Sequence, residues 1–329
     1  MKKIITSLML GACASMACVT ASAADAKLEP ITYLLPAPKN LPAFAPWIIA
    51  QEEGYFKDEG LDVTFVTGKG GVDVAKQVGA GNAPVGGGIG DTPIIVRANG
   101  IPVKAVAVLG GGSLTLIASH ENAPIDEPSQ LKGKTITTMA YTDTTYYSLL
   151  GTMQKAGLTR NDAEIQAAGP AGVWQLFAAG KAQAMAAVPD WVATVTQNGA
   201  KVHLMDPAKG FNSMAQAILA SDDTIKNNPQ LIQKIVRATL KGMALIMKDP
   251  DAALQSYIKA IPAHKGREAE MKQVFELYNK YVYGGQKVLG QMDAERLAKV
   301  QQFYVSEGIV NKASPVDDLY TNQFVEAPQ

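Results

Sequence analysis

The sequence predicts an α/β protein of two lobes, each a mainly parallel sheet flanked by helices, with the chain crossing between the lobes twice. Short β-branched or apolar runs alternate with helical spacings through the first two thirds of the chain, the pattern of strands covered by helices. Two extended apolar segments, residues 114–119 and 213–220, bracket a middle unit, and beyond the second the chain turns strongly helical. The simplest arrangement is a middle lobe inserted into a first lobe that resumes afterwards. The expected boundaries are residues 24–116 plus 217–329 for lobe 1 and residues 117–216 for lobe 2.

Residues 1–23 stand apart from that fold. Met1-Lys2-Lys3, an apolar run and Ala21-Ser22-Ala23 form the three parts of a secretory signal peptide, which implies export to the periplasm. Cleavage after Ala23 takes the 329 residues to 306 and removes both cysteines, Cys13 and Cys18, leaving no thiol or disulfide chemistry. Leu10-Gly11-Ala12-Cys13 offers a competing reading, a lipoprotein processing site that would keep Cys13 as a lipid-bearing N-terminus. Losing Lys2 and Lys3 from 30 basic residues leaves 28 against 30 acidic ones, which points to neither nucleic acid nor an anionic membrane as partner. Past the signal no apolar run reaches the ~18 residues of a membrane span. The nearest, residues 105–119, is broken by Gly110-Gly111-Gly112.

In order, Ile31-Thr32-Tyr33-Leu34-Leu35 reads as a first strand entering a proline-rich loop, and residues 44–53 as a helix that tolerates Pro46 in its first turn and stops at Gly54. Strands at 60–66, 83–89 and 103–109 alternate with helices at 72–78 and 91–98. After the first extended segment and a linker with two prolines, a second αβ unit begins. It opens with Leu131 to Leu158, read as strand, polar loop and helix: Thr135-Ile136-Thr137-Thr138, then Met139-Ala140-Tyr141-Thr142-Asp143, then a helical spacing from Thr144. Strands near 163–168, 182–188 and 202–205 follow, with helices at 171–179 and from Trp191. Leu231, Ile235, Val236, Leu240, Met243 and Ile246 mark a long amphipathic helix, and further helices are expected near 250–261, 268–281 and 293–307.

Ala50-Gln51-Glu52-Glu53-Gly54-Tyr55-Phe56-Lys57-Asp58-Glu59-Gly60-Leu61-Asp62-Val63 resembles a signature of the periplasmic substrate-binding proteins of ABC transporters, of the nitrate, sulfonate, taurine and thiamine-pyrimidine type. Leu131-Lys132-Gly133-Lys134-Thr135-Ile136, Gly180-Lys181-Ala182-Gln183-Ala184 and Tyr283-Gly284-Gly285-Gln286 are similar to later markers of that group. The resemblance covers nearly the whole mature chain. It implies the two-lobed periplasmic-binding-protein fold of type II, a small-molecule ligand held between the lobes, an ABC permease and its ATPase as partners, and a monomer without cofactor.

In open α/β sheets ligands sit beyond the carboxyl ends of the strands. Lobe 1 then offers Asn40, Phe44, Trp47, Gly90, Asp91 and Ser113; lobe 2 offers Tyr141, Thr142, Asp143, Thr144, Thr145, Tyr146, Asp190 and Trp191. Trp47, Trp174 and Trp191 all fall at or within a turn of such loops, as ligand walls or as core. Asp91, Asp143 and Asp190 each precede a helix, either as N-caps or as acceptors for an amine or ring N–H. A carboxylate at Asp143 already occupies the place an anion would take at a helix N-terminus, and the sulfonate binders usually carry small residues here. Replacing Thr144 and Tyr146 by alanine is expected to weaken ligand binding and leave the apo protein's stability nearly unchanged.

Enzyme motifs are thin. Gly68-Lys69-Gly70 lacks the Ser or Thr of a phosphate loop, Gly86-Gly87-Gly88-Ile89-Gly90-Asp91 departs from dinucleotide spacing, and His120, His203 and His264 have no partner at metal spacing. The expectation is a non-enzymatic, extracytoplasmic solute-binding protein delivering a small organic solute (a sulfonate, an aromatic acid or a pyrimidine-like molecule) to an ABC importer. An enzyme of the related pyrimidine-synthase type, or a ligand-sensing partner of a membrane receptor, stays open as an alternative.

Overall fold

The computed structural model describes residues 27–325, so the expected signal peptide and both cysteines lie outside the described residues. Lobe 1 begins with β1 (Glu29–Leu35), α1 (Ala45–Glu52), α2 (Tyr55–Asp58), β2 (Leu61–Thr67), α3 (Gly71–Gly79), β3 (Val85–Ile89), α4 (Thr92–Ala98) and β4 (Val103–Val108). Lobe 2 holds β5 (Leu116–His120), β6 (Thr135–Thr138), α5 (Thr144–Gln154), β7 (Glu164–Ala167), α6 (Gly169–Ala178), β8 (Ala184–Ala187), α7 (Pro189–Gln197) and β9 (Val202–Leu204). The chain then returns to lobe 1 with β10 (Gln216–Ser221), α8 (Asp222–Asn227), α9 (Pro229–Lys248), α10 (Pro250–Ala260), α11 (Glu268–Tyr278) and α12 (Ala294–Ser306).

Two five-stranded sheets result, ordered β2-β1-β3-β10-β4 and β7-β6-β8-β5-β9. In the first, β10 runs antiparallel to both β3 and β4; in the second, β5 runs antiparallel to both β8 and β9. Each sheet is therefore parallel except for the strand that enters it straight from a crossover, which must arrive from the opposite lobe and so runs the other way. The apolar segments at 114–119 and 213–220 supply those two reversed strands. Parallel strands buried on both faces need continuous apolar runs, and Ala217-Ile218-Leu219-Ala220 and Ala184-Met185-Ala186-Ala187 are buried throughout.

The main core covers both faces of the first sheet and takes in the buried stripe of α9, whose 20 residues form the longest helix described. It also reaches Tyr146, Leu150 and Ala193 of lobe 2, so apolar contact is continuous between the lobes. Lobe 2 has a smaller core on each face of its sheet, one around Leu149 and Met153 and the other around Val173 and Phe177. Leu277 and Tyr281 pack on the second of these, which makes the end of α11 a brace against lobe 2. The expected helix over 268–281 ends as α11 at Tyr278 and widens into a π turn, Asn279–Tyr283. Such turns often mark functional places. No helix among the described residues is long and apolar enough to cross a membrane.

Candidate functional site

The two crossovers lie side by side and form a hinge. Leu109 N–H donates to Gln216 O and Leu114 N–H to Met214 O, while the hydroxyls of Ser113 and Ser213 pair at 2.6 Å. Gly110, Gly111 and Gly112 let a third strand of main chain press against them: Gly111 N–H donates to Gly284 O and Gly112 N–H to Val282 O, each at 2.9 Å. A β-carbon on Gly110 or Gly112 would overlap the carbonyls of Val282 or Tyr281. The glycines are thus required by close approach. The Arg296 guanidinium, 7% exposed, donates to the carbonyls of Gly111, Gly112, Asn212 and Ser213, and so joins both crossovers at once. Burial lowers its pKa to about 10, against the pull of Asp293 and Asp91. It stays charged at neutral pH.

In front of the hinge the lobes meet along a seam of carboxylates and tyrosines. From lobe 2, Asp143 caps α5: its Oδ1 accepts from Thr145 N–H at 2.9 Å and from the Thr145 hydroxyl at 2.6 Å. Thr145 is buried, and its hydroxyl also pairs with that of Thr138. Thr142 is exposed and Thr144 half-buried beside this cap. Tyr141, 50% exposed, rests its ring 5.3 Å from that of Tyr146 and donates its hydroxyl to Ile165 O. The ring series continues through Tyr147 to Tyr304 of lobe 1, whose centroids are 5.4 Å apart with the planes at 64°. Edge-to-face contact of this kind is a favourable aromatic geometry.

From lobe 1, Asp91 is fully buried ahead of α4 and accepts the Tyr304 hydroxyl on Oδ2 at 2.6 Å, while its Oδ1 has no hydrogen-bond partner among the described residues. Its side chain makes no cap bond, although its position before the helix suggested one. Burial raises its carboxyl to about 6; the Tyr304 bond and Arg296 oppose the rise, and Asp143 across the seam adds to it. Burial also raises Asp143, against the stabilising bonds from Thr145. Tyr147 rises through burial, then through Asp143, Tyr146 and Asp91. Two carboxylates and a tyrosine therefore share a poorly solvated space that favours neutral forms.

A third junction joins the lobes at α7. Asp190 Oδ2 accepts the N–H of Ala43 at 3.1 Å, across 147 residues of sequence, and burial lifts its carboxyl to about 6 despite that bond and the neighbouring Tyr278 hydroxyl. Thr194 donates to Glu270, Gln197 to Gln273 and Gln154 to Glu307, each from lobe 2 to a returning lobe-1 helix.

The remaining sequence candidates divide between packing and seam. Trp47 is 1% exposed between Tyr33 and Phe44, both also buried, so it belongs to the lobe-1 core in this arrangement instead of forming a free wall. Trp191 is half-buried against the lobe-2 core, as is Trp174. Asn40 has an exposed side chain, and its carbonyl is held by the Tyr257 hydroxyl and His264 Nε2, each at 2.7 Å. Gly90 donates to Ala215 O beneath Met214 and Met292. Ser113 and Thr145 have their hydroxyls engaged by the hinge and the cap. Tyr146, 5% exposed and part of the main core, cannot be truncated without cost to the apo protein, which corrects the expectation for the Thr144 and Tyr146 replacement. Reading loops alone missed Arg296 and Tyr304. A signal was present: Arg296, Val300 and Tyr304 fall at four-residue spacing on one face of α12, which puts a cation in a buried stripe.

A family model described as "NMT1/THI5 like" matches residues 41–253 of the chain. The riboflavin-binding protein RibY of Chloroflexus aurantiacus is 26% identical over 92% of this chain and 88% of its own length. The 4-amino-5-hydroxymethyl-2-methylpyrimidine phosphate synthase THI13 of Saccharomyces cerevisiae is 25% identical over 92% and 89% respectively. Among solved structures, the periplasmic aliphatic sulphonate binding protein SsuA from Escherichia coli superposes with a TM-score of 0.72 at 17% identity, covering 92% of this chain and 95% of that one.

Proposed function

The chain therefore belongs to the NMT1/THI5-like family, with the periplasmic-binding-protein fold, and on that premise we propose that it is an extracytoplasmic solute-binding protein. It takes a small organic solute between its lobes and presents it to a membrane permease with its ATPase. The observation that carries this reading is the seam: Asp91 and Tyr304 of lobe 1 meet Asp143 and Tyr147 of lobe 2 in front of a hinge of two crossovers. A solute touching both halves binds the closed arrangement better than the open one, which is the differential affinity that closure needs. Export through the residue 1–23 signal and action as a monomer belong to the same proposal.

Against the synthase alternative, the three histidines have separate structural partners. His120 stacks on Phe177 and meets Ala182 O, His203 meets Asp126, and His264 meets Asn40 O. Equilibration with candidate solutes followed by thermal unfolding and mass analysis of the recovered solute tests the reading. One solute at a hundredfold over its Kd should stabilise the protein by about 2.7 kcal/mol and be recovered unchanged. Recovery of a converted product would replace this reading with the enzymatic one.

A further inference from the structure

We propose that the hinge holds an internal water site that links it to α5: one water, in a small cavity under residues 205–211, bridges the hydroxyls of Thr115 and Ser148. The site is separate from the seam and independent of what the lobes bind. Its lining includes Ser113, Thr115, Ser148, Thr152, Met205 and Phe211, and it leaves about 10 Å³ open to a water-sized sphere. One water needs roughly 10–15 Å³ by that measure, together with two to four polar partners. The cavity has room for a single water and none for an organic solute.

The partners are in the same lining. Thr115 and Ser148 are 8% and 2% exposed, and neither Thr115 Oγ1 nor Ser148 Oγ meets a hydrogen-bond partner among the described residues. Buried hydroxyls in native proteins are nearly always bonded, to protein or to water. The neighbouring hydroxyls are already engaged: Ser113 Oγ pairs with Ser213 and with the Thr115 main chain, and Thr152 Oγ1 donates to Ser148 O at 2.8 Å and accepts Phe211 N–H at 2.9 Å. The one acid in the lining, Asp206, is exposed and accepts the Ala208 N–H, so nothing buried there carries a charge for a cation. The cover over the cavity is fixed. Phe211 packs on Gly151, where a β-carbon would strike its ring, and Lys155 donates to the carbonyls of Ala208 and Gly210. A polar chain then runs from Ser213 through Ser113 and Thr115 to the water and on to Ser148, the residue after Tyr147 of the seam. The second crossover reaches the same turn of α5 through Phe211 and Thr152. With the water in place, both crossovers grip one turn of the helix that carries the lobe-2 side of the seam.

A high-resolution crystal structure of the full mature chain, combined with urea melts of three variants, tests this. The crystal should show one ordered density peak about 2.7–3.0 Å from both hydroxyls. Thr115→Val and Ser148→Ala should each raise the unfolding equilibrium constant about fivefold, because the remaining hydroxyl and the water lose a partner in a closed site. The double variant should unfold no more readily than the worse single one, well short of the about 25-fold product of independent losses. A site without density, direct contact between the two hydroxyls, or the oxygen contacts of about 2.3–2.6 Å made by a bound cation overturns the water site. A double variant at the product of the singles, or singles within about twofold of the unmodified protein, overturns the link between hinge and α5. If neither single variant folds, the density in the unmodified protein decides alone.

Discussion

The hinge and the Asp190 junction both hold lobe 1 to lobe 2, and they are built in opposite ways. At the hinge, two covalent crossovers are paired by main-chain bonds, pressed by a third segment through glycines, and tied by a buried guanidinium with four carbonyl acceptors. At the junction, one carboxylate oxygen raised by burial meets one N–H, beside two side-chain bonds from α7 to α11. Hydrogen bonds to charged groups contribute roughly 1.5–3 kcal/mol each, and an isolated neutral one about 1. The hinge therefore holds the lobes more strongly than the junction does. That difference would suit the proposed closure on a solute, because a ligand can decide an equilibrium only where the protein has left it close to balance.

Substitutions and a pH series test that comparison, from the largest expected effect down. Arg296→Ala should lower unfolding stability by about 3 kcal/mol or more in urea melts, since four buried carbonyls lose their donor at once. Arg296→Lys should recover only part of it, because a compact ammonium cannot span acceptors from two segments. Loss below about 1 kcal/mol would remove the hinge role. Gly112→Ala should cost about 1–3 kcal/mol through collision with Tyr281 main chain, as measured in the same urea melts.

Acidification comes next. The carboxyls of Asp91 and Asp190 lie higher in the folded protein than the ordinary value near 3.9, so the folded state binds their protons more tightly. Their contribution is complete below pH ~4 and is lost as pH rises through about 6. The apo protein should consequently become more stable between pH 7.5 and 5. For Asp91 the difference over that window is about 1.4 kcal/mol, since only the one unit between its folded value of about 6 and pH 5 is traversed at 1.36 kcal/mol per unit. Asp91→Asn should flatten the profile in calorimetric melts; an unchanged slope would show that other groups carry it.

The smallest effects belong to the separable side. Asp190→Ala should cost about 1 kcal/mol of stability yet enlarge the apo radius of gyration in small-angle scattering, because Ala43 N–H loses the acceptor that lobe contact provides. A compact scattering profile would show that the junction does not hold the lobes. Tyr141→Ala, at an exposed ring, should change stability by less than about 0.5 kcal/mol.

Much of this architecture was legible in the chain. The β-branched run at Thr135-Ile136-Thr137-Thr138 became β6, and the cap position at Asp143 heads α5 as its place before Thr144 suggested. The bracketing apolar segments supplied the reversed strands. Helix and strand periodicity, start signals and apolar runs are local, so they survive reading one stretch at a time. Whether a residue in a loop becomes wall, cap or stitch was not legible. Asp91, Asp143 and Asp190 look alike in sequence, each an aspartate ahead of a helix, yet one holds a tyrosine of its own lobe, one caps, and one reaches the opposite lobe.

The sequence by itself determined the alternation of elements and the places where the chain crosses, because side-chain spacing and backbone preference act over a few residues. Only the tertiary structure decided which groups meet. Tyr304 reaches Asp91 across 213 positions, Arg296 reaches Gly111 across 185, and Ala43 reaches Asp190 across 147. No periodicity links positions so far apart. Their meeting follows from how two sheets and a returning helix pack, and that packing also removes Asp91 from water and leaves Asp91 and Asp190 each with one oxygen unpartnered among the described residues.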